Sequence, residues 1–186
     1  MRIEWLLDDP RAVAGRAAEV RGDPVPAVLD GIPCLRFDGR EAGLVVDCNP
    51  IRGAAAFRVE VLFRPERGGG AEQRFLHIQE DGSPNRALLE TRISDDGRWY
   101  GDVFLKSGSG ERFLNRASLL HEPDVWHTLE LRYADGRISQ WVDGKKELEG
   151  ALRFSPLGEG SLSLGMRRDG CSPFKGAIGR VRFMVL

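Results

Sequence analysis

The chain has 186 residues, with 27 Lys or Arg against 28 Asp or Glu and a formal net charge of −1. Near-neutral charge argues against general binding to nucleic acid or anionic membrane, which needs a basic excess. No apolar run approaches the roughly 20 residues of a membrane helix, so no membrane insertion is expected. With 41% hydrophobic and 30% charged residues, the composition is that of a globular protein, and the length suits one domain over 1–186. The start, MRIEWLLDDPRAV, has no cationic stretch followed by an apolar one. No signal peptide is therefore read, which implies a cytoplasmic chain as it stands or an excised module of an exported protein.

In chain order, residues 1–30 are read as an N-terminal strand and a peripheral segment packing on the rest. The alanine-rich stretch 9–20 predicts a turn or two of helix. Strands are expected at 34–37 and 43–47. The clearest strand is 56–64, where Phe57, Val59, Val61 and Phe63 alternate with Arg58, Glu60 and Arg64. Further strands are expected at 74–80, 86–93, 98–106, 112–115, 125–133, 137–142, 161–164 and 177–185, with a short helical turn at 117–121. Turn signals separate them: Asp81-Gly82-Ser83-Pro84, Asp95-Asp96-Gly97, Ser107-Gly108-Ser109-Gly110, Ala134-Asp135-Gly136 and Asp143-Gly144. About ten short strands with hairpin turns predict an all-β, antiparallel sandwich or barrel with very little helix.

Several segments resemble laminin-G-like domains of the concanavalin A-like superfamily. Trp126-His127-Thr128-Leu129-Glu130-Leu131-Arg132-Tyr133, Asp135-Gly136-Arg137 and Trp141-Val142-Asp143-Gly144 resemble the W-H-x-V-x-V-x-Y-D-G…Y-V-D-G hairpin of that family. Phe174-Lys175-Gly176-Ala177-Ile178 with Arg180-Val181-Arg182-Phe183 is similar to its closing strand. Cys34-Leu35-Arg36-Phe37-Asp38-Gly39, Gly43-Leu44-Val45-Val46 and the Phe57–Phe63 alternation are similar to its opening strands. Together these span residues 30–185. The resemblance implies a jelly-roll sandwich of two antiparallel sheets, one of them concave. It also implies a carbohydrate or protein ligand and, in some members, a calcium ion.

The residues most apt for binding come from three segments. In 74–80, Phe75, His77 and Gln79 share one face and Leu76 and Ile78 the core face. In 86–93, Arg86, Leu88, Glu90 and Arg92 share a face; in 98–106, Tyr100, Asp102, Phe104 and Lys106 do. If the segments are sheet neighbours, one face carries His77, Gln79, Arg86, Glu90, Arg92, Tyr100, Asp102 and Lys106. Such a set suits a hydroxyl-rich or anionic ligand, with Arg86 and Arg92 as carboxylate forks. The same charges could equally form a solvated cross-strand lattice.

Catalytic readings compete with this binding reading. A glycosidase needs two carboxylates roughly 5–10 Å apart. The E-x-D-x-(x)-E strand of laminarinase-like enzymes is absent, and cations beside Glu90 and Asp102 are expected to lower their pKa values. Alginate lyases of this fold use R-x-E-x-R, Q-x-H and Y-x-K-x-G. Here Leu88 stands where the first motif needs its leading Arg, and His77-Ile78-Gln79 and Lys106-Ser107-Gly108 differ in order and spacing. The loop acids Asp47, Asp95, Asp96, Asp135 and Asp169 form no 12-residue calcium loop. The scattered His77, His121 and His127 have no metal spacing, and His127 shares parity with Leu129 and Leu131. Cys34, Cys48 and Cys171 are read as small apolar side chains, with a Cys34–Cys48 disulfide left open for an exported protein. Trp5 and Trp99 are expected in the core, while Trp126 and Trp141 are candidates for stacking on sugars. The sequence thus predicts a non-catalytic, lectin-like module with glycan as its ligand. A polysaccharide-degrading enzyme and a protein-interaction domain are the alternatives, and oligomeric state is open.

Overall fold

The computed structural model describes residues 1–108 and 110–186, so the centre of the Ser107–Gly110 turn lies outside the described residues. Among the described residues, sixteen strands follow one another. They are Arg2–Leu6 (β1), Ala12–Val13 (β2), Arg16–Arg21 (β3), Val25–Leu29 (β4), Ile32–Asp38 (β5), Gly43–Val46 (β6), Phe57–Pro65 (β7) and Glu72–Glu80 (β8). Then come Arg86–Ile93 (β9), Trp99–Ser107 (β10), Gly110–Asn115 (β11), His127–Ala134 (β12), Arg137–Val142 (β13), Lys145–Ala151 (β14), Gly160–Leu164 (β15) and Lys175–Val185 (β16). They form two antiparallel sheets. One has the order β14-β13-β12-β7-β16-β5-β4, with β1 also on β16; the other has the order β11-β10-β9-β8-β15-β6-β3-β2. The protein is an all-β jelly-roll sandwich, with no helix among the described residues and so none to cross a membrane.

The core between the sheets follows from period-two patterning. Along β7, Phe57, Val59, Val61 and Phe63 are fully buried while Arg58, Glu60, Leu62 and Arg64 are half-buried. Phe63 stacks on Phe75 from the opposite sheet, with centroids 4.5 Å apart, and meets Trp99 edge-on at 5.1 Å. Trp5 packs edge-on against Phe183. Offset stacks and edge contacts are the favoured aromatic geometries. The hairpins β12–β13 and β13–β14 turn on Asp135-Gly136 and Asp143-Gly144, whose paired positive φ values match the twist of the strands.

Two sequence expectations are corrected, and one point left open is answered. Residues 9–20 hold a β-hairpin rather than helix. Ala14 and Gly15, at φ 51° and 74°, make its turn, and β3 adds to β6, so ladder bonds override alanine's helix preference. Residues 117–121 hold no helix; His121 instead exchanges both backbone hydrogen bonds with Trp99. Cys34, Cys48 and Cys171 are free thiols, so no Cys34–Cys48 disulfide forms. Beyond its expected first strand, residues 1–30 supply β2, β3 and β4, which extend both sheets.

Candidate functional site

The run β15-β8-β9-β10-β11 brings the singled-out residues onto one outer face. Directly opposed residues across antiparallel strands point to the same side. One row reads Ser163, His77, Leu88, Phe104, Phe113 across the five strands. A second reads Arg74, Glu90, Asp102, Asn115, and a third Ser161, Gln79, Arg86, Lys106, Glu111. Arg92 opposes Tyr100 and Glu72. All eight predicted residues therefore share this face. Phe75 does not: a bulge between Arg74 and Leu76 turns both Phe75 and Leu76 into the core and leaves Arg74 outside.

This face is unusually closed for one turned away from the core. His77, Asp102 and Ser163 are each 1% exposed, and Glu90, Ser161, Leu88 and Phe104 are also buried. A strap, residues 165–174 between β15 and β16, ties down across its β8 side. The Arg168 backbone N–H donates to His77 Nδ1 at 3.1 Å. The Arg74 N–H donates to the Ser172 carbonyl at 2.9 Å, and the Arg74 guanidinium also reaches Ser172 Oγ. Arg168 pairs with Asp81 at 2.9 Å, and Arg21 holds the Arg168 carbonyl.

The charges form a chain of pairs. Arg74 Nε donates to Glu90 Oε1 at 3.0 Å, Arg92 Nε to Asp102 Oδ2 at 2.8 Å, and both arginines also hold Glu72. Lys106 pairs with Glu111 at 3.0 Å. Arg92 is thus held by two protein carboxylates and is not the free carboxylate fork that its sequence position implied. Gln79 is engaged too, its amide reaching the carbonyls of Glu80, Ser83 and Asn85 to close the β8–β9 turn. Arg86 differs: its Nη1 holds the Pro84 carbonyl at 2.9 Å and its plane lies 4.7 Å from the Phe104 ring centre.

Six buried polar atoms on this face have no hydrogen-bond partner: His77 Nε2, Arg86 Nε, Glu90 Oε2, Asp102 Oδ1, Ser161 Oγ and Ser163 Oγ. Buried polar groups in folded proteins are nearly always paired, so holding half of the unpaired ones among the described residues makes this face the candidate site. The outer face of the other sheet differs: Arg64 Nε and Arg180 Nε also lack a hydrogen bond there, but each lies within 4 Å of a carboxylate, Asp30 and Glu4. There Arg132 grips Glu130 through two bonds of 2.7 Å and stacks at 3.6 Å over Trp141, and Arg182 bridges Glu4 and Glu60. It is a charge lattice, in which Arg132 covers one face of the half-buried Trp141. Trp126, half-buried, lies against Gly179.

Electrostatics follow from burial. Burial, reinforced by the cations Arg167 and Arg86, pushes the His77 pKa down to about 3, so the ring is neutral at pH 7. Because Nδ1 accepts the Arg168 N–H, the single proton sits on Nε2. Burial raises the Glu90 pKa, and the neighbouring Asp102 charge adds to the rise; Arg74 opposes it without cancelling it. The expectation that cations lower it is thereby overturned. Among the described residues, no group of three or more His, Cys, Asp or Glu side chains is arranged to hold a metal ion.

Sequence reasoning missed Arg74, Ser161, Ser163 and Phe113. Phe113 is 55% exposed and rests on Phe104 with centroids 4.3 Å apart. The serines carried a usable signal, since Ser161 and Ser163 alternate with buried Leu162 and Leu164.

No protein-family model matches the sequence, and no curated protein matches it. Solved structures do. Domain 4 of AbnA, an extracellular GH43 arabinanase from Geobacillus stearothermophilus solved with arabinotriose, superposes with a TM-score of 0.70 at 15% identity, over 97% of this chain and 89% of that one. The fold is theirs. A botulinum neurotoxin type C structure, described as needing two ganglioside molecules for cell entry, matches at 0.68 and 11%, over 99% of this chain and 47% of that one. Domains LG4-5 of the mouse laminin α1 chain match at 0.57 and 17%, over 88% and 44%. At these identities the likeness establishes a shared jelly-roll sandwich, including the laminin-G type that the sequence motifs resemble.

Proposed function

We propose that this chain is a non-catalytic glycan-binding module whose ligand lies on the outer face of β15-β8-β9-β10-β11. The observation that carries the reading is the set of six unpartnered buried polar atoms there. Sugar hydroxyls both donate and accept, so they can satisfy Glu90 Oε2 and Asp102 Oδ1 as well as His77 Nε2–H. Arginines fix the other oxygen of each carboxylate, which holds the acceptors in place. Exposed Phe113, diagonal to Asp102 across β10 and β11, offers a ring face on which a sugar can stack. The arabinotriose and ganglioside associations of structures sharing this fold support the same ligand class.

A glycan array, run with calcium and with chelator, tests this proposal. Binding weakened by Asp102→Asn and by Phe113→Ala is the expected result. A blank array under both conditions refutes it and shifts the reading to a protein ligand.

One observation favours a second reading, hydrolysis. Glu90, its pKa raised, stands directly opposite Asp102, and a raised carboxyl is what a general acid requires. Product analysis of the bound oligosaccharide separates the two. A module returns it intact, whereas a hydrolase cleaves it and loses that activity in Glu90→Gln.

A further inference from the structure

The unpartnered atoms divide by chemistry along the face. Glu90 Oε2 and Asp102 Oδ1 are acceptors on β9 and β10. The four on the β15-β8-β9 side are a guanidinium N–H of Arg86, the Nε2–H of His77 and the hydroxyls of Ser161 and Ser163, and all four can donate. The two serines flank His77 and Gln79 in register, and Arg86 opposes Gln79. His77 and both serines are more than nine-tenths buried.

Charge separates this side from the rest. Arg74, Arg92 and Lys106 each have a carboxylate partner, whereas Arg86 has none among the described residues. The strap adds Arg167 and Arg168 from above. Asp169 of the strap and Asp81 on the β8–β9 turn are both already engaged, Asp81 by Arg168 and Asp169 by Arg167 and the Cys171 N–H. An uncompensated guanidinium among donors that lack acceptors is the complement of an oxyanion.

We propose that His77, Arg86, Ser161 and Ser163 form a seat for an anionic group on the glycan, either the carboxylate of a uronic acid or a sulfate ester. This rests on the glycan reading and narrows its substrate class. The anion takes the Arg86 Nε–H, the His77 Nε2–H and the serine hydroxyls, while the sugar's own hydroxyls donate to Glu90 and Asp102. Locked in one tautomer by the strap, His77 presents its proton without needing to be charged.

The test is calorimetric titration of the whole chain with trigalacturonic acid, neocarrabiose 4-sulfate (a sulfated disaccharide with no carboxylate) and cellotriose, in about 20 and about 200 mM NaCl. One of the acidic probes is expected to bind on the order of tenfold more tightly than cellotriose, with affinity falling as salt rises. Which acid wins decides between carboxylate and sulfate. Arg86→Gln should abolish the preference for acid. Ser161→Ala and Ser163→Ala are the sharper probes. Neither hydroxyl has a protein partner to lose, so thermal stability should hold or rise while affinity for the acid falls. Equal affinity for cellotriose and the acids, or serine variants that bind the acids unchanged, overturns the seat and leaves the glycan reading standing. No binding to any of the three probes or to the array overturns both.

Discussion

His77 makes the stability of this protein depend on pH in a way that can be read from one ring. An exposed histidine titrates near 6.5, and His77 in the folded protein titrates near 3. Between those values the unfolded chain takes up a proton that the folded chain refuses, so stability falls as pH drops from about 6.5 towards 3. The slope is about 1.4 kcal/mol per pH unit. From pH 7 to pH 4.5 the loss due to this residue is thus about 2–3 kcal/mol, a substantial part of a domain's usual stability of about 5–15 kcal/mol. Replacing the ring by His77→Asn removes the titration yet keeps an acceptor for the Arg168 N–H. Urea unfolding, followed by tryptophan fluorescence from pH 7.5 to 4.5, measures both proteins. The variant should be the less stable at pH 7.5, and the gap should close by about 2–3 kcal/mol at pH 4.5. Other carboxylates titrate in both proteins and cancel in the difference. That includes Glu90, whose raised pKa acts in the opposite sense, its contribution being lost as pH rises. Two curves that stay parallel across the range would refute the argument that a neutral, desolvated His77 is held in the fold.

Arg74→Met leaves the buried Glu90 carboxylate without its guanidinium and should cost about 3–5 kcal/mol in urea unfolding, whereas Arg74→Met with Glu90→Leu should recover most of it. A double variant no better than the single would show that Arg74 acts through Ser172 and the strap instead. Phe75→Ala removes the ring stacked on Phe63 and packed on Phe174, and about 3–5 kcal/mol of stability with it. A loss below about 1 kcal/mol would mean that the core closes over the gap.

The strands with strict alternation were legible in the sequence. Phe57, Val59, Val61 and Phe63 announce β7 and its buried face, and the Asp-Gly pairs announce the hairpins at both ends of β13. Strand β14 was not legible, because Lys145, Lys146, Glu147 and Glu149 lie on a sheet edge and carry no apolar repeat. Strands β3 and β4 failed for the related reason that their exposed residues mix small and charged types. The eight candidate residues came from parity alone, and the register places them on one face. Parity could not tell engaged side chains from free ones. Gln79 closes a turn, Arg92 is paired twice, and Arg86 is left without a carboxylate, all from similar sequence surroundings. Nor could parity find Arg74, which lies an even number of residues from core-facing Leu76 and Ile78 and joins the outer face only because a bulge intervenes.

That bulge has a consequence for how the two faces of β8 can vary. Arg74 opposes Glu90 and Leu76 opposes Leu89, with Phe75 as the supernumerary residue between them. Excising Phe75 would leave an unbroken ladder in which Arg74, His77 and Gln79 still point outward. The letter that thickens the core is therefore independent of the letters that write the outer face. An insertion here adds a ring to the interior while leaving the outer pattern in phase, so core packing and outer-face chemistry on this strand are free to change separately.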